Sequence, residues 1–277
     1  MESSVASPSS YALTLQGQRI SFEYDEARGG YGYSVQVDRG GTWFEVSSGN
    51  PFVRGPSFDL FADTVVVQGA TARIAGTRTA AGPHGPVAYR WTGTVSADES
   101  TGWFRFRVTL SLPEALELRM VDGFEPEILL DMGDLPPYDR GDHVWFKINI
   151  DNPTKWNDEA QANDFPALYY FNAYSGYELM MYFDMTSMDW MSRDNIARFL
   201  NYRCGFRRIY KPHAAYELGM HANGFSGKRF PAGERTFAYA VHCRERTDSP
   251  TEQTALKRLV DRCLTLVTAE SAWPAGA

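Results

Sequence analysis

Four short segments carry the side chains best able to do chemistry, and within each segment those residues fall mostly at every second position. Trp103, Arg105 and Arg107 make the first set, and Trp145, Lys147, Asn149 and Asp151 the second. Tyr170, Asn172 and Tyr174 follow, then Glu178, Tyr182 and Asp184. A β-strand turns successive side chains to opposite faces, so each set shares one side of its own strand. The residues between are apolar: Phe104, Phe106, Val108 and Leu110 in the first segment, Val144, Phe146, Ile148 and Ile150 in the second. If the strands are neighbours, the polar sets form a concave wall of aromatics, amides and both signs of charge. Such a wall suits a small-molecule or glycan ligand, since rings cover the C–H faces of a sugar while polar groups take its hydroxyls. The binding residues are then Arg105, Arg107, Trp145, Asn149, Tyr170, Asn172 and Tyr182. Two carboxylates in unlike surroundings can divide acid and base roles. Asp151 and Asp184 are the catalytic candidates, with Lys147 as their electrostatic partner. The competing reading is an outer face whose groups satisfy one another, with Arg105 and Arg107 bridging to Glu127 and Asp131.

Other chemistries find little support. The sequence has no G-x-x-x-x-G-K-[ST] phosphate loop, no G-x-G-x-x-G turn, no H-E-x-x-H helix and no G-x-S-x-G elbow. His84, His143, His213, His221 and His242 are not paired at metal-ligand spacing. The acidic group Asp151, Asn157, Asp158 and Glu159 lacks the calcium-loop pattern and reads as a solvated loop. Neither a metal nor a cofactor is expected. The three cysteines, Cys204, Cys243 and Cys263, are odd in number and widely spaced, which fits free buried thiols in a reducing compartment.

The elements that must position these residues are strands. Aromatics make up 14% of the 277 residues, a bias that sheets favour. Tyr31 to Val37 and Thr42 to Val46 flank Asp38-Arg39-Gly40-Gly41, a hairpin signal. Thr64 to Val67, Ala72 to Ile74 and Val87 to Val95 follow, with residues 81–86 a loop by composition. Trp103 to Ser111, Val144 to Asp151, Ala167 to Tyr174, Glu178 to Met185 and Arg235 to Cys243 complete the strands. Ser192 caps a short helix near 193–203. Ser249, Pro250 and Glu252 make a capping box for a second helix near 250–268. Its apolar stripe is Leu256, Leu259, Val260, Cys263, Leu264 and Val267. Asp134 to Asp142 and Asp151 to Pro166 read as long loops. The expected fold is an all-β antiparallel sandwich over residues 11–277 with a C-terminal helix, preceded by a disordered tail over residues 1–10. A net charge of −7 with no basic run argues against nucleic acid and anionic membrane as partners. No apolar run reaches the roughly 20 residues of a membrane span, and the N-terminus has no signal-peptide pattern, so a cytoplasmic location is expected.

The run Met181 to Met191, the segments Asn195 to Leu200 and Tyr202 to Gly205, then Phe230 to Glu234 and Pro250 to Glu252, resemble in their order the N-terminal β-supersandwich domain of some bacterial glycoside-hydrolase-like proteins. The resemblance implies a galactose mutarotase-like fold and a carbohydrate-directed activity. The (α/α)6 barrel that follows that domain is absent from the sequence. The Asn-His-x-x-Phe-Asn pattern of mutarotases is absent too, so no family catalytic residue transfers. Two further classes are open. One is a cofactor-free cyclase, isomerase or hydratase, which the cluster Met180, Met181, Met185, Met188 and Met191 would line. The other is a non-catalytic accessory domain that docks a partner protein through the C-terminal helix region.

Overall fold

The computed structural model describes residues 11–55, 58–82, 84–117, 128–134, 143–147, 167–172, 176–184, 202–209, 215–222, 229–230, 232–246, 248 and 252–269, and among them are nineteen strands and one helix. The first sheet runs β1 (Tyr11–Leu15), β2 (Gln18–Asp25), β3 (Gly30–Arg39), β4 (Thr42–Asn50), β12 (Ile128–Asp134), β17 (Ala215–Ala222) and β16 (Tyr202–Ile209). The short β5 (Arg54–Gly55) and β6 (Phe58–Asp59) attach beside β12. The second sheet runs β13 (His143–Lys147), β14 (Ala167–Asn172), β15 (Tyr177–Phe183), β19 (Gly233–Glu245), β10 (Trp103–Leu112), β9 (Gly85–Asp98), β8 (Thr71–Gly82) and β7 (Thr64–Gln68). A two-stranded piece joins β11 (Leu116–Glu117) to β18 (Arg229–Phe230). The helix α1 spans Glu252–Ala269. The all-β sandwich with a C-terminal helix is therefore the architecture.

Local sequence explains the hairpins. Gly40 and Gly41 both take positive φ, 60° and 91°, the geometry of a primed two-residue turn whose twist matches its strands. Asp38 Oδ1 accepts a bond from the Gly41 amide at 2.7 Å and fixes that turn. Residues 81–86 differ from expectation. Ala81 pairs with Pro86 and Gly82 with Gly85, so β8 and β9 run nearly to the tip and the loop is tight. The helix expected near 193–203 does not extend to Tyr202 and Arg203, which belong to β16. Its remaining residues, the capping box at Ser249 and Pro250, and the long loops over 135–142 and 151–166 lie outside the described residues, as does the tail over 1–10.

The two sheets close on one apolar core. Phe104, Phe106, Val108 and Leu110 are wholly buried, as their alternation requires. They meet Ile20, Phe22, Tyr33 and Val35 of the first sheet in the same cluster. Phe106 stacks on Tyr239 with ring centroids 4.6 Å apart and lies 5.0 Å from Tyr33. Phe52 bridges Tyr33 and Trp91 at 5.4 and 5.6 Å. Much of the aromatic excess is thus core packing, where rings contribute both area and edge interactions.

The outer side of the second sheet is covered at one end by α1. Leu259, Cys263 and Leu266 bury against Trp103, Tyr169, Met180 and Ala240. Leu266 takes the place in the buried stripe expected for Leu264, which is 53% exposed. The Trp103 indole donates to the Arg262 carbonyl at 3.3 Å, tying strand to helix. Met180 and Met181 are both buried, on opposite faces, so they act as core filling. Met185, Met188 and Met191 lie outside the described residues. Cys243 and Cys263 are free and buried, and burial pushes the Cys263 thiol up to about 12.

A polar clamp links the sheets beneath α1. The Gln18 amide donates to the Gly102 carbonyl at 2.7 Å, and its oxygen accepts from the Cys243 amide at 2.9 Å. His242 Nδ1 lies 2.8 Å from the same Gly102 carbonyl and 3.2 Å from the Gln18 amide nitrogen, and its buried Nε2 has no hydrogen-bond partner among the described residues. Burial first, then the charge of Arg262, pushes the His242 pKa down to about 3. An unfolded histidine titrates near 6.5, so between those values the unfolded chain takes up a proton that the folded chain refuses. Stability is therefore full above about pH 6.5 and is lost as pH falls toward about 3, by roughly 1.4 kcal/mol per pH unit. Urea midpoints at about pH 7 and about pH 5 should show the loss, and His242→Gln should flatten it. Equal midpoints for the unaltered protein would contradict this assignment.

Candidate functional site

Register decides which polar residues meet. Tyr182 of β15 pairs with Ala240 of β19, and Ala240 with Arg105 of β10. One step along, the Asp184 amide donates to the Ala238 carbonyl at 2.9 Å, and Ala238 pairs with Arg107. Paired residues of an antiparallel ladder share a face. Arg105 and Arg107 thus flank Tyr182 and Asp184 across a floor of two alanines. Two strand spacings separate the walls, about 10 Å. Both alanines are buried, Ala238 at 0% and Ala240 at 1% exposure, and Ala240 packs with Tyr182 in the apolar cluster beneath α1. Trp103, under α1, closes one end of this trough. The other end is closed by Thr109 and Thr236, whose hydroxyls lie 3.1 Å apart.

The site is enclosed and electrostatically mixed. Tyr182 and Asp184 are 8% and 5% exposed, and the Arg105 side chain is 11% exposed. Asp98 holds Arg105 through an Nη2–Oδ2 contact of 2.6 Å. Burial tends to raise the Asp98 pKa. The hydrogen bonds from Ser100 and Thr101 and the Arg105 charge outweigh it and hold the carboxyl below its ordinary value. Bonds to Asp98 Oδ1 from the Ser100 amide and hydroxyl, at 3.0 and 2.6 Å, pre-set that carboxylate. Arg107 is half-buried and has no ion-pair or hydrogen-bond partner among the described residues. Its guanidinium carries five donors in a planar fork.

The remaining expected site residues do not join this face. Trp145 pairs with Tyr170, Tyr170 with Leu179, and Leu179 with Cys243. Lys147 pairs with Leu168, Leu168 with Met181, and Met181 with Val241. Asn172 pairs with Tyr177. Leu179, Cys243, Met181, Val241 and Tyr177 all belong to the core between the sheets. Trp145, Lys147, Tyr170 and Asn172 therefore occupy positions on the side of the sheet opposite Arg105, Arg107, Tyr182 and Asp184. The single wall expected from the sequence is split in two. The reason is that alternation fixes faces within a strand, whereas a one-residue change of register exchanges them between strands. Asn149 and Asp151 lie outside the described residues. Trp103, expected on the open wall, is wholly buried under α1. Arg105 pairs with Asp98.

A second polar group was not legible as a unit. Glu178, 1% exposed, accepts from the Tyr169 hydroxyl at 2.8 Å. Its carboxylate lies 3.5 Å from Arg244 Nε, 3.0 Å from Arg246 Nε and 3.6 Å from Arg258 Nη1. Asp248 joins Arg258 at 2.6 Å and Arg246 at 3.6 Å. Burial, then the Glu178 charge, pushes the Tyr169 phenol up. The available signal was the pairing of Arg244-x-Arg246 with Arg258 and Arg262 one helical turn apart.

Among the described residues no group of histidines, cysteines and carboxylates is arranged to hold a metal ion. No helix among them is long and apolar enough to cross a membrane. No protein-family model matches the chain, and no curated protein matches it. Among solved structures, it is similar to the Slr1438 protein of Synechocystis sp. PCC 6803, with 8% identity and a TM-score of 0.45 over 90% of this chain and 99% of that one.

Proposed function

We propose that the chain is a carbohydrate-directed protein that binds or processes a glycoside in the trough between Arg105 and Arg107 on one side and Tyr182 and Asp184 on the other. The observation that carries the reading is the half-buried Arg107, uncompensated among the described residues, facing an enclosed tyrosine and carboxylate across Ala238 and Ala240. A guanidinium and a carboxylate together offer donors and acceptors to vicinal hydroxyls, and the tyrosine adds a ring with a polar tip. The resemblance to the β-supersandwich of glycoside-hydrolase-like proteins leans the same way. Enclosure favours one or two sugar units over a long chain. If the site processes its ligand, Asp184 is the carboxylate placed to do so.

Calorimetric titration with a panel of hexoses and their methyl glycosides tests this. At least one member should bind, and Arg107→Ala should weaken that binding about tenfold or more, a loss of about 1.4 kcal/mol. Because Arg107 is half-exposed and unpaired among the described residues, the same change should move stability by no more than about 0.5 kcal/mol. No heat from any sugar, or unaltered affinity in Arg107→Ala, would refute the proposal.

A further inference from the structure

We propose that Arg244, Arg246, Arg258 and Arg262 form a second site, for a tetrahedral oxyanion of the phosphoryl or sulfate kind, where the β15–β19 pair meets α1. Three guanidiniums there, of Arg244, Arg246 and Arg258, contact two carboxylates, Glu178 and Asp248, and Arg262 adds a fourth positive charge that feels Arg244, Arg246 and Glu178, which leaves a surplus of two positive charges among these groups. The chain as a whole carries −7, so this surplus is local. It is also partly desolvated: the Arg246 and Arg258 side chains are 19% and 18% exposed. Burial, then the charges of Arg244 and Arg246, hold the Arg262 pKa below its ordinary value, a mutual repulsion that a bound dianion would relieve.

A separate observation points to a missing acceptor. Among the described residues Arg246 Nε and Arg258 Nη1 are buried and make no aligned hydrogen bond, although they lie 3.0 and 3.6 Å from Glu178 Oε2. Buried donors of this kind are costly unless an acceptor reaches them. An oxyanion presents several acceptors at once and is the partner that arginine forks match in pairs. Glu178 fixes one side of the guanidiniums and leaves their remaining donors for the ligand. The site sits at the far end of the same sheet face from Asp184, four residues and more along β15, so it stands independently of the glycoside reading.

Melting curves in sodium phosphate and sodium sulfate, compared with sodium chloride at matched ionic strength, test the proposal. Both oxyanions should raise the melting temperature by about 3 °C near saturation. Arg244→Gln combined with Arg262→Gln should abolish the gain, and Arg73→Gln, an exposed position on the outer sheet face, should keep it. Sulfate and phosphate also stabilise proteins by exclusion from their surfaces. The same gain in the double variant would therefore overturn the site, as would equal melting in all three salts. Should the double variant fail to fold, phosphorus NMR on the unaltered protein decides. Saturable broadening of inorganic phosphate that sulfate competes away supports the site, and non-saturable broadening overturns it. Glycerol phosphate in place of the free ion then separates an ester ligand from inorganic phosphate by their relative affinities.

Discussion

Glu178→Gln is expected to destabilise the protein by about 3–5 kcal/mol, the usual consequence of removing one partner from a buried charge network. The carboxylate is 1% exposed and lies among Arg244, Arg246 and Arg258. Its loss leaves three guanidiniums facing one another with Asp248 as their remaining carboxylate partner among the described residues, and replaces the acceptor of the Tyr169 hydroxyl bond with a neutral amide oxygen. The arrangement ties α1 to the end of the second sheet, so the helix should loosen first. Thermal unfolding should shift down by roughly 10 °C for a chain of this size. Hydrogen exchange should show the protection of α1 falling before that of β10 and β19. A shift under about 1 kcal/mol would mean the network is solvated and adds little.

The second large effect belongs to the core. Phe106→Ala should cost about 3–5 kcal/mol, from lost transfer energy and the cavity left between rings. Phe106 has no solvent exposure and sits between Tyr239, stacked at 4.6 Å, and Tyr33 at 5.0 Å. Those rings come from both sheets, so the cavity would open at the interface that defines the sandwich. The neighbouring Arg107→Ala should be close to neutral, because that side chain points to the other face. Urea midpoints of the two variants measured side by side would show the contrast. A Phe106→Ala variant as stable as Arg107→Ala would mean that these two residues had been assigned to the wrong faces.

The pair also shows where sequence reading succeeded and where it stopped. Period-two alternation located β10 and β19 and assigned Phe104, Phe106, Val108 and Leu110 to the core. Glycines at positions 40 and 41 marked the β3–β4 turn, because no other residue takes those φ values as readily. The Leu259 and Cys263 positions of α1 followed from helical spacing, whereas Leu264 and Leu266 were exchanged, a difference of about half a turn at the end of a helix. The turn at Gln16 and Gly17 was harder to see, because Gln16 takes φ 47° without being glycine or asparagine.

The site was legible only within strands. Arg105 and Arg107 share one face because both lie on β10, and Tyr182 and Asp184 do because Asp184 directly follows β15 and still bonds to β19. Joining them across Ala238 and Ala240 needed the strand order β15-β19-β10, in which a late strand enters between two earlier ones. Trp145, Lys147, Tyr170 and Asn172 were grouped with them by composition, and register places them on the opposite side. The Glu178 cluster escaped notice because its members are dispersed from Tyr169 to Arg262, and only packing of α1 brings them together.

The most direct test of the account is a crystal soaked with the tightest-binding methyl glycoside of the panel. Density should lie over Ala238 and Ala240, within hydrogen-bonding distance of Arg107 and Asp184. A sugar seated instead beside Trp145 and Lys147, or no ordered sugar at concentrations that saturate the calorimetric signal, would contradict it.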